Sequence, residues 1–312
     1  MLRAAVGAVA IALVAAACVP PPPDDAPPPP PATVYDAACA GTLVASTPGT
    51  VENDLVYELS GIAASRRNPG VWWVHNDSGN PVEVYAVGAD GSDLGTFTLS
   101  DAANVDWEDV AVGPGPVAGT HYLYLADIGN SIERKRDGVV VYRVAEPDVS
   151  AGSAAVGGVA RLSLTYPGGE TPDAESFLVD PVNGDLLIVT KELFTSRVFF
   201  APANLPANST TELTQVGTVG VPGFLAAFTA ADVTADGAFV ATRTDAYAGN
   251  GSVVIYRRPA GQSLAAAFAQ PPCYGATASE TQGEAIGFTS DGRGYVTASE
   301  GTSPELHQFH AP

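Results

Sequence analysis

Basic residues are scarce in this chain. Lys135 and Lys191 are its only lysines, and lysine and arginine together number 14 against 34 acids, for a net charge of −20. Phosphate backbones are held by clustered Lys and Arg, and the longest basic stretch is Glu133-Arg134-Lys135-Arg136, so nucleic-acid partners are excluded. Several catalytic signatures are also missing. There is no Gly-x-Ser-x-Gly elbow, no Cys or His pair at zinc spacing and no phosphate-cradling glycine loop, which leaves serine-nucleophile chemistry and nucleotide hydrolysis without support. No stretch with a 3.6-residue apolar period is long enough to suggest a major helix. At 46% apolar residues in 312, disorder as a whole is excluded, and the length suits one large β domain or two ordinary ones.

The N-terminus reads as an address. Arg3 precedes an apolar run of 14 residues, Ala4 to Ala17, which is short for a membrane span and of signal-peptide length. Its end, Leu13-Val14-Ala15-Ala16-Ala17-Cys18, resembles a bacterial lipobox with Ala15 where leucine is usual, so residues 1–18 are expected to be a signal peptide and Cys18 the lipidated N-terminus. Secretion after ordinary cleavage is the alternative. Three cysteines in an exported chain leave one odd; with Cys18 lipidated, Cys39 and Cys273 remain to form one disulfide. Residues 19–38 then form a linker opening on a Pro-rich stretch that favours extended polyproline II, and residues 39–312 form the folded domain.

From Glu58 onward the chain is a succession of short Val-, Tyr- and Phe-rich runs broken by Gly, Pro, Asn and Asp, as in an all-β fold. One pattern recurs with its aromatic residue at Tyr85, Tyr142, Phe199, Tyr256 and Phe309, at steps of 57, 57, 57 and 53 residues. Two further strands precede each marker, separated by turn signals such as Asn183-Gly184, Asp236-Gly237 and Asp291-Gly292, and a less regular strand follows. Repeated four-stranded antiparallel units predict a β-propeller of five blades. The fifth unit ends at Pro312 after its third strand, so residues 41–57 are expected to donate the fourth. Six blades, with extra structure between Glu108 and Glu175, is the alternative.

In a propeller, the start of each first strand and the end of each second strand emerge on one face. Acids recur at both places: Glu108 with Asp109, Glu175, Asp232 and Glu284 at the starts, and Asp77, Asp127, Glu192, Asp245 and Glu300 at the ends. Crowded like charges call for protonation or a cation, and an all-oxygen donor set suits Ca²⁺ better than zinc or copper. Internal pairs with Lys191, Arg243 or Arg134–Arg136 are the competing way to neutralise them. Lys191, Glu192, Arg243, Asp77 and Asp245 are candidate ligand contacts, Trp107 a candidate stacking platform, and His75 in Val74-His75-Asn76-Asp77 a candidate general base.

The segments Asp106-Trp107-Glu108-Asp109-Val110-Ala111, Leu125-Ala126-Asp127-Ile128-Gly129-Asn130 and Gln282-Gly283-Glu284-Ala285-Ile286 resemble secreted bacterial propellers of the phytase-like and esterase-like group. They are more loosely similar to gluconolactonase and strictosidine-synthase-like propellers. The lactonase resemblance implies a channel metal on Glu108, Glu175 and Glu284; Asp127 and Glu300, placed at second-strand ends on the same face, are the second choices. The Asp-rich opening motif of β-propeller phytases is missing. Two functions are therefore expected to compete. One is a metal-dependent hydrolase of a small ester, lactone or phosphoester; the other is a non-catalytic, monomeric module that binds a small molecule, glycan, peptide or envelope protein. In either case the chain would be held outside the cell membrane by lipid alone.

Overall fold

A computed structural model describes residues 32–131, 135–246 and 251–312. The signal segment, Cys18, the Pro-rich stretch to Pro31 and Arg134 lie outside the described residues. Five blades form a closed ring. Blade 1 is built from Leu59–Ala64, Val71–Asn76, Glu83–Gly88 and Asp93–Leu99; blade 2 from Trp107–Pro114, His121–Asp127, Val139–Ala145 and Ala160–Thr165. Blade 3 comprises Ala174–Val179, Leu186–Thr190, Thr195–Ala201 and Thr214–Gly220; blade 4 comprises Ala226–Val233, Phe239–Ala246, Ser252–Arg257 and Cys273–Gly275. Blade 5 has Gly283–Phe288, Gly294–Ser299 and Glu305–His310, and its outer strand is the N-terminal Val44–Thr50, paired antiparallel with Glu305–His310. The expected donation from the N-terminus therefore closes the ring.

The long connection after Glu108 does not make a sixth blade. Ala154–Val156 within it adds a parallel strand to the edge of blade 1, and Thr210–Glu212 does the same for blade 2. At the N-terminus, Val34–Ala40 is a helix where the linker was expected to end. Thr33 caps it by accepting the Asp36 amide, and Gly41 closes it in the left-handed conformation. The Cys39–Cys273 disulfide joins this helix to the outer strand of blade 4. The N-terminal segment thus fastens to blade 4 before completing blade 5.

Each blade buries both faces. Along His121–Asp127, Tyr122, Tyr124 and Ala126 pack into a cluster shared with blade 3, whereas Leu123 and Leu125 pack into one shared with blade 1. Five such apolar clusters fill the five interfaces between neighbouring blades. Trp73 and Trp72 divide in the same way, between blades 1 and 2 and between blades 5 and 1.

Candidate functional site

All five innermost strands slip register once, near the start. The slips fall at Leu59/Gly61, Trp107/Asp109, Ala174/Ser176, Phe228/Ala230 and Gly283/Ala285, leaving Ser60, Glu108, Glu175, Thr229 and Glu284 as the bulged residues. A bulge re-aims a side chain. Here it gives the ring one repeated position, filled by three carboxylates and two hydroxyls. The Ser60 hydroxyl donates to the Glu108 carbonyl at 2.8 Å, and the Thr229 hydroxyl to the Gly283 carbonyl at 2.6 Å, each tying its blade to a neighbour's bulge. Asp232 does not hold this position in blade 4, contrary to the sequence reading. It lies three residues deeper, buried, where Oδ2 accepts the Phe288 amide at 2.6 Å.

The bulged glutamates act on one another. Burial, then Glu175, Asp77 and Asp106, hold the Glu108 carboxyl well above the ordinary range. Burial also raises Glu175, against the pull of Lys191, and raises Glu284 to about 7. Lys191 reaches into this group and pairs with Glu175. Burial lowers its pKa, but Glu175, Glu284 and Glu108 outweigh that and leave it above the ordinary lysine value. Internal pairing, the alternative to a metal, therefore accounts for part of the charge.

A second group lies on the blade 1 and 2 side. Asp77, Asp106 and Glu108 each present a carboxylate oxygen, and the three oxygens lie within 4.8 Å of one another. The backbone makes room for them at Gly129, where a Cβ would stand 2.0 Å from Glu108 Oε1 and 2.5 Å from Asp106 Oδ2. Asp127 supports this group from below. Its Oδ1 accepts the Asp106 amide at 2.9 Å and pairs with Arg136 at 2.7 Å. Asp106 is the site residue that sequence reasoning passed over. Its one signal is its place two residues ahead of Glu108.

Other candidates fall elsewhere. His75 is fully buried between blades 1 and 2, edge-on to Trp107, its Nδ1 2.9 Å from the Asn76 carbonyl oxygen; burial lowers its pKa to about 4. A neutral imidazole sealed from solvent cannot serve as a base at the mouth. Trp107 is also fully buried and donates its indole N–H to Ala103, so it packs blades together and stacks no ligand. Arg243 is buried in an ion pair with Glu280 at 2.6 Å, which removes it from the expected ligand contacts. Glu192 turns to Arg197 and Thr190. Asp245, half-buried, adds its field to Glu284. Glu300, with Gln282 on its carboxylate, borders the same mouth and is raised chiefly by burial and by Asp77.

These shifts have a sign that can be checked. Glu284 at about 7 and Asp232 at about 6 keep their protons in the folded chain at pH values where the unfolded chain has lost them. Between roughly pH 4 and 7 the folded state therefore binds more protons, and stability falls as pH rises. With chelator present, the unfolding temperature is expected to be lower at about pH 8 than at about pH 5, measured by circular dichroism. A higher value at pH 8 would show that these carboxyls ionise without penalty.

No protein-family model matches the sequence, and no curated protein is significantly similar to it. Among solved structures, hydrazine synthase from Kuenenia stuttgartiensis is 10% identical with a TM-score of 0.39, over 78% of this chain and 80% of that one. The Cps50 (Swd1) β-propeller domain of Myceliophteria thermophila is 10% identical with a TM-score of 0.40, over 81% and 84%. Similarity at this level carries no functional argument, and the propeller assignment rests on the strand order itself.

Proposed function

We propose that this protein is an exported recognition module, held to the outer face of the cell membrane through Cys18, whose channel mouth binds Ca²⁺ on Asp77, Asp106 and Glu108. The observation carrying the calcium reading is the convergence of three carboxylates. Two ligands of one Ca²⁺ at 2.3–2.6 Å stand at most about 5 Å apart, and the 4.8 Å limit on these oxygens fits that geometry. The donors are all oxygen, and the glycine at position 129 leaves them space. Bound there, calcium would supply positive charge to a polar ligand, while Asp127 and Arg136 hold the Asp106 backbone in place. Recognition is favoured over hydrolysis because the expected base, His75, is sealed in the core.

Calorimetry should detect Ca²⁺ binding to the exported chain. A hundredfold excess over the dissociation constant contributes about 2.7 kcal/mol, which for a domain of this size raises the unfolding temperature by about 4–5 °C. Chelator should reverse the rise, and Glu108→Gln, which keeps the shape and removes the charge, should abolish both signals. Absence of binding heat together with an unmoved unfolding temperature would end the calcium reading. For the anchor, Cys18→Ser should move the chain from the membrane to the medium or leave it unprocessed; normal processing with unchanged membrane partitioning would end that part.

A further inference from the structure

The mouth face also carries apolar surface that a bound cation does not use. Leu193 and Phe194 follow Lys191 at the end of the second strand of blade 3, and Phe224 and Leu225 precede the inner strand of blade 4. Their exposures are 48, 66, 73 and 38%. The Val221 amide donates to the Phe194 carbonyl at 2.9 Å, so these neighbouring loops are tied together beside the acids. Leu55, Tyr57 and Val105 extend exposed apolar surface along the blade 1 and 2 rim of the same face. Single exposed hydrophobics are ordinary, but their gathering on one face next to buried charge is not. Phe194 and Leu225 also hold φ of 68 and 49°, a conformation that disfavours bulky side chains, yet no glycine replaces them.

The acids beside this patch show which chemistry they accept. The chain's own Lys191 ammonium is held there by Glu175, with Glu284 and Glu108 adding their fields. Glu175 is 8% exposed, and its second oxygen, Oε2, is buried with no hydrogen-bond partner. Asp245, Glu284 and Glu300 stand on the same side with no ion pair to a cation among the described residues other than the field of Lys191. An anionic lipid surface or a phosphate would be repelled here; an ammonium or guanidinium would be drawn in.

We infer that this half of the mouth docks a basic segment of a partner protein, with an Arg or Lys side chain entering between Glu175, Glu284 and Asp245 and apolar neighbours packing on Phe194 and Phe224. The inference rests on reading the mouth as a recognition face, and it does not require calcium. Calcium is assigned to the blade 1 and 2 side, the basic residue to the side of blades 3 to 5.

The test is to pan phage-displayed random peptides on the exported chain in chelator. Enriched peptides should carry Arg or Lys next to Phe, Trp or Leu. A synthetic copy of the enriched peptide should bind several-fold more weakly at about 300 mM than at about 50 mM salt. It should also lose about tenfold or more in affinity with Phe194→Ser/Phe224→Ser, and similarly with Glu284→Gln. The exposed double variant should unfold at the wild-type temperature, which separates lost docking from lost folding. Enrichment of no basic peptide overturns the inference, as does binding that ignores both substitutions. So does flotation with phosphatidylcholine vesicles that Phe194→Ser/Phe224→Ser abolishes, since the loops would then be membrane-inserting tips. Failure of the calcium reading would appear as absent Ca²⁺ binding heat in the unsubstituted chain and leave the peptide result standing.

Discussion

Asp109→Ala is expected to lower stability more than any other single carboxylate substitution in the channel. Asp109 is fully buried, and its carboxylate collects three backbone amides: Val110 on Oδ1 at 2.9 Å, and Phe177 and Ala231 on Oδ2 at 2.9 and 3.2 Å. Those amides belong to the inner strands of blades 2, 3 and 4, so one side chain ties three blades at the axis. Burial pushes its pKa well above the ordinary range, and the three donors act in the opposite direction. Alanine would leave three buried N–H groups without an acceptor. At about 1–3 kcal/mol for each unsatisfied group, and with partial relaxation, the loss is expected to be about 3–5 kcal/mol. Asn keeps an acceptor for Phe177 and Ala231 but turns an amide donor on Val110, so it should cost about 1–2 kcal/mol. Denaturant unfolding of both variants measures the difference. An alanine variant within about 1 kcal/mol of wild type would show that the axis does not depend on this residue.

The blade rhythm was legible because each blade buries both faces. The aromatic markers Tyr85, Tyr142, Phe199, Tyr256 and Phe309 all lie on third strands and are all buried. A residue that must fill the same gap in every repeat leaves a period that reads directly from sequence. The turn signals were equally direct: Gly184, Gly237 and Gly292 all have positive φ, as Asn-Gly and Asp-Gly hairpins require. The edge strands Ala154–Val156 and Thr210–Glu212 left no such period, since each forms only a short parallel ladder on one blade's outer edge.

The site was legible at Glu108, Glu175 and Glu284 and misread where the bulge fixes the register. In blade 4, the sequence reading put Asp232 at the start of the inner strand, but pairing with Phe239–Ala246 puts Thr229 at the repeated position. A bulge adds one residue to one strand, and a slip of one changes which face a side chain occupies. His75 failed for a related reason. Its neighbour Asp77 reaches the mouth, while His75 turns toward Gly61, where a Cβ would meet its Nε2 at 2.5 Å. The glycine two residues into the blade 1 inner strand was the available signal.

Breaking the Cys39–Cys273 link should have the second large effect on stability. The cysteines are 234 residues apart in sequence, so the bond closes nearly the whole described chain into one loop. The chain-entropy account puts such a closure at about 5 kcal/mol, with measured values often smaller. Its position adds a mechanical consequence. The helix it fastens to blade 4 leads directly into Val44–Thr50, the outer strand of blade 5. Arg257 assists by pairing with Asp36 at 2.7 Å and lying over the Tyr35 ring, but both of its groups are half-exposed and the pair is weak. In Cys39→Ser/Cys273→Ser, residues 34–50 should therefore open at lower free energy than the other four blades. Hydrogen exchange should show lost protection in Val44–Thr50 and Glu305–His310 first, with the inner strands of blades 1 to 3 retained. Uniform loss across all five blades would mean that the ring unfolds as one unit and that the disulfide acts on the unfolded chain alone. Unchanged exchange together with an unfolding free energy within about 1 kcal/mol of wild type would show that strand pairing alone closes the propeller.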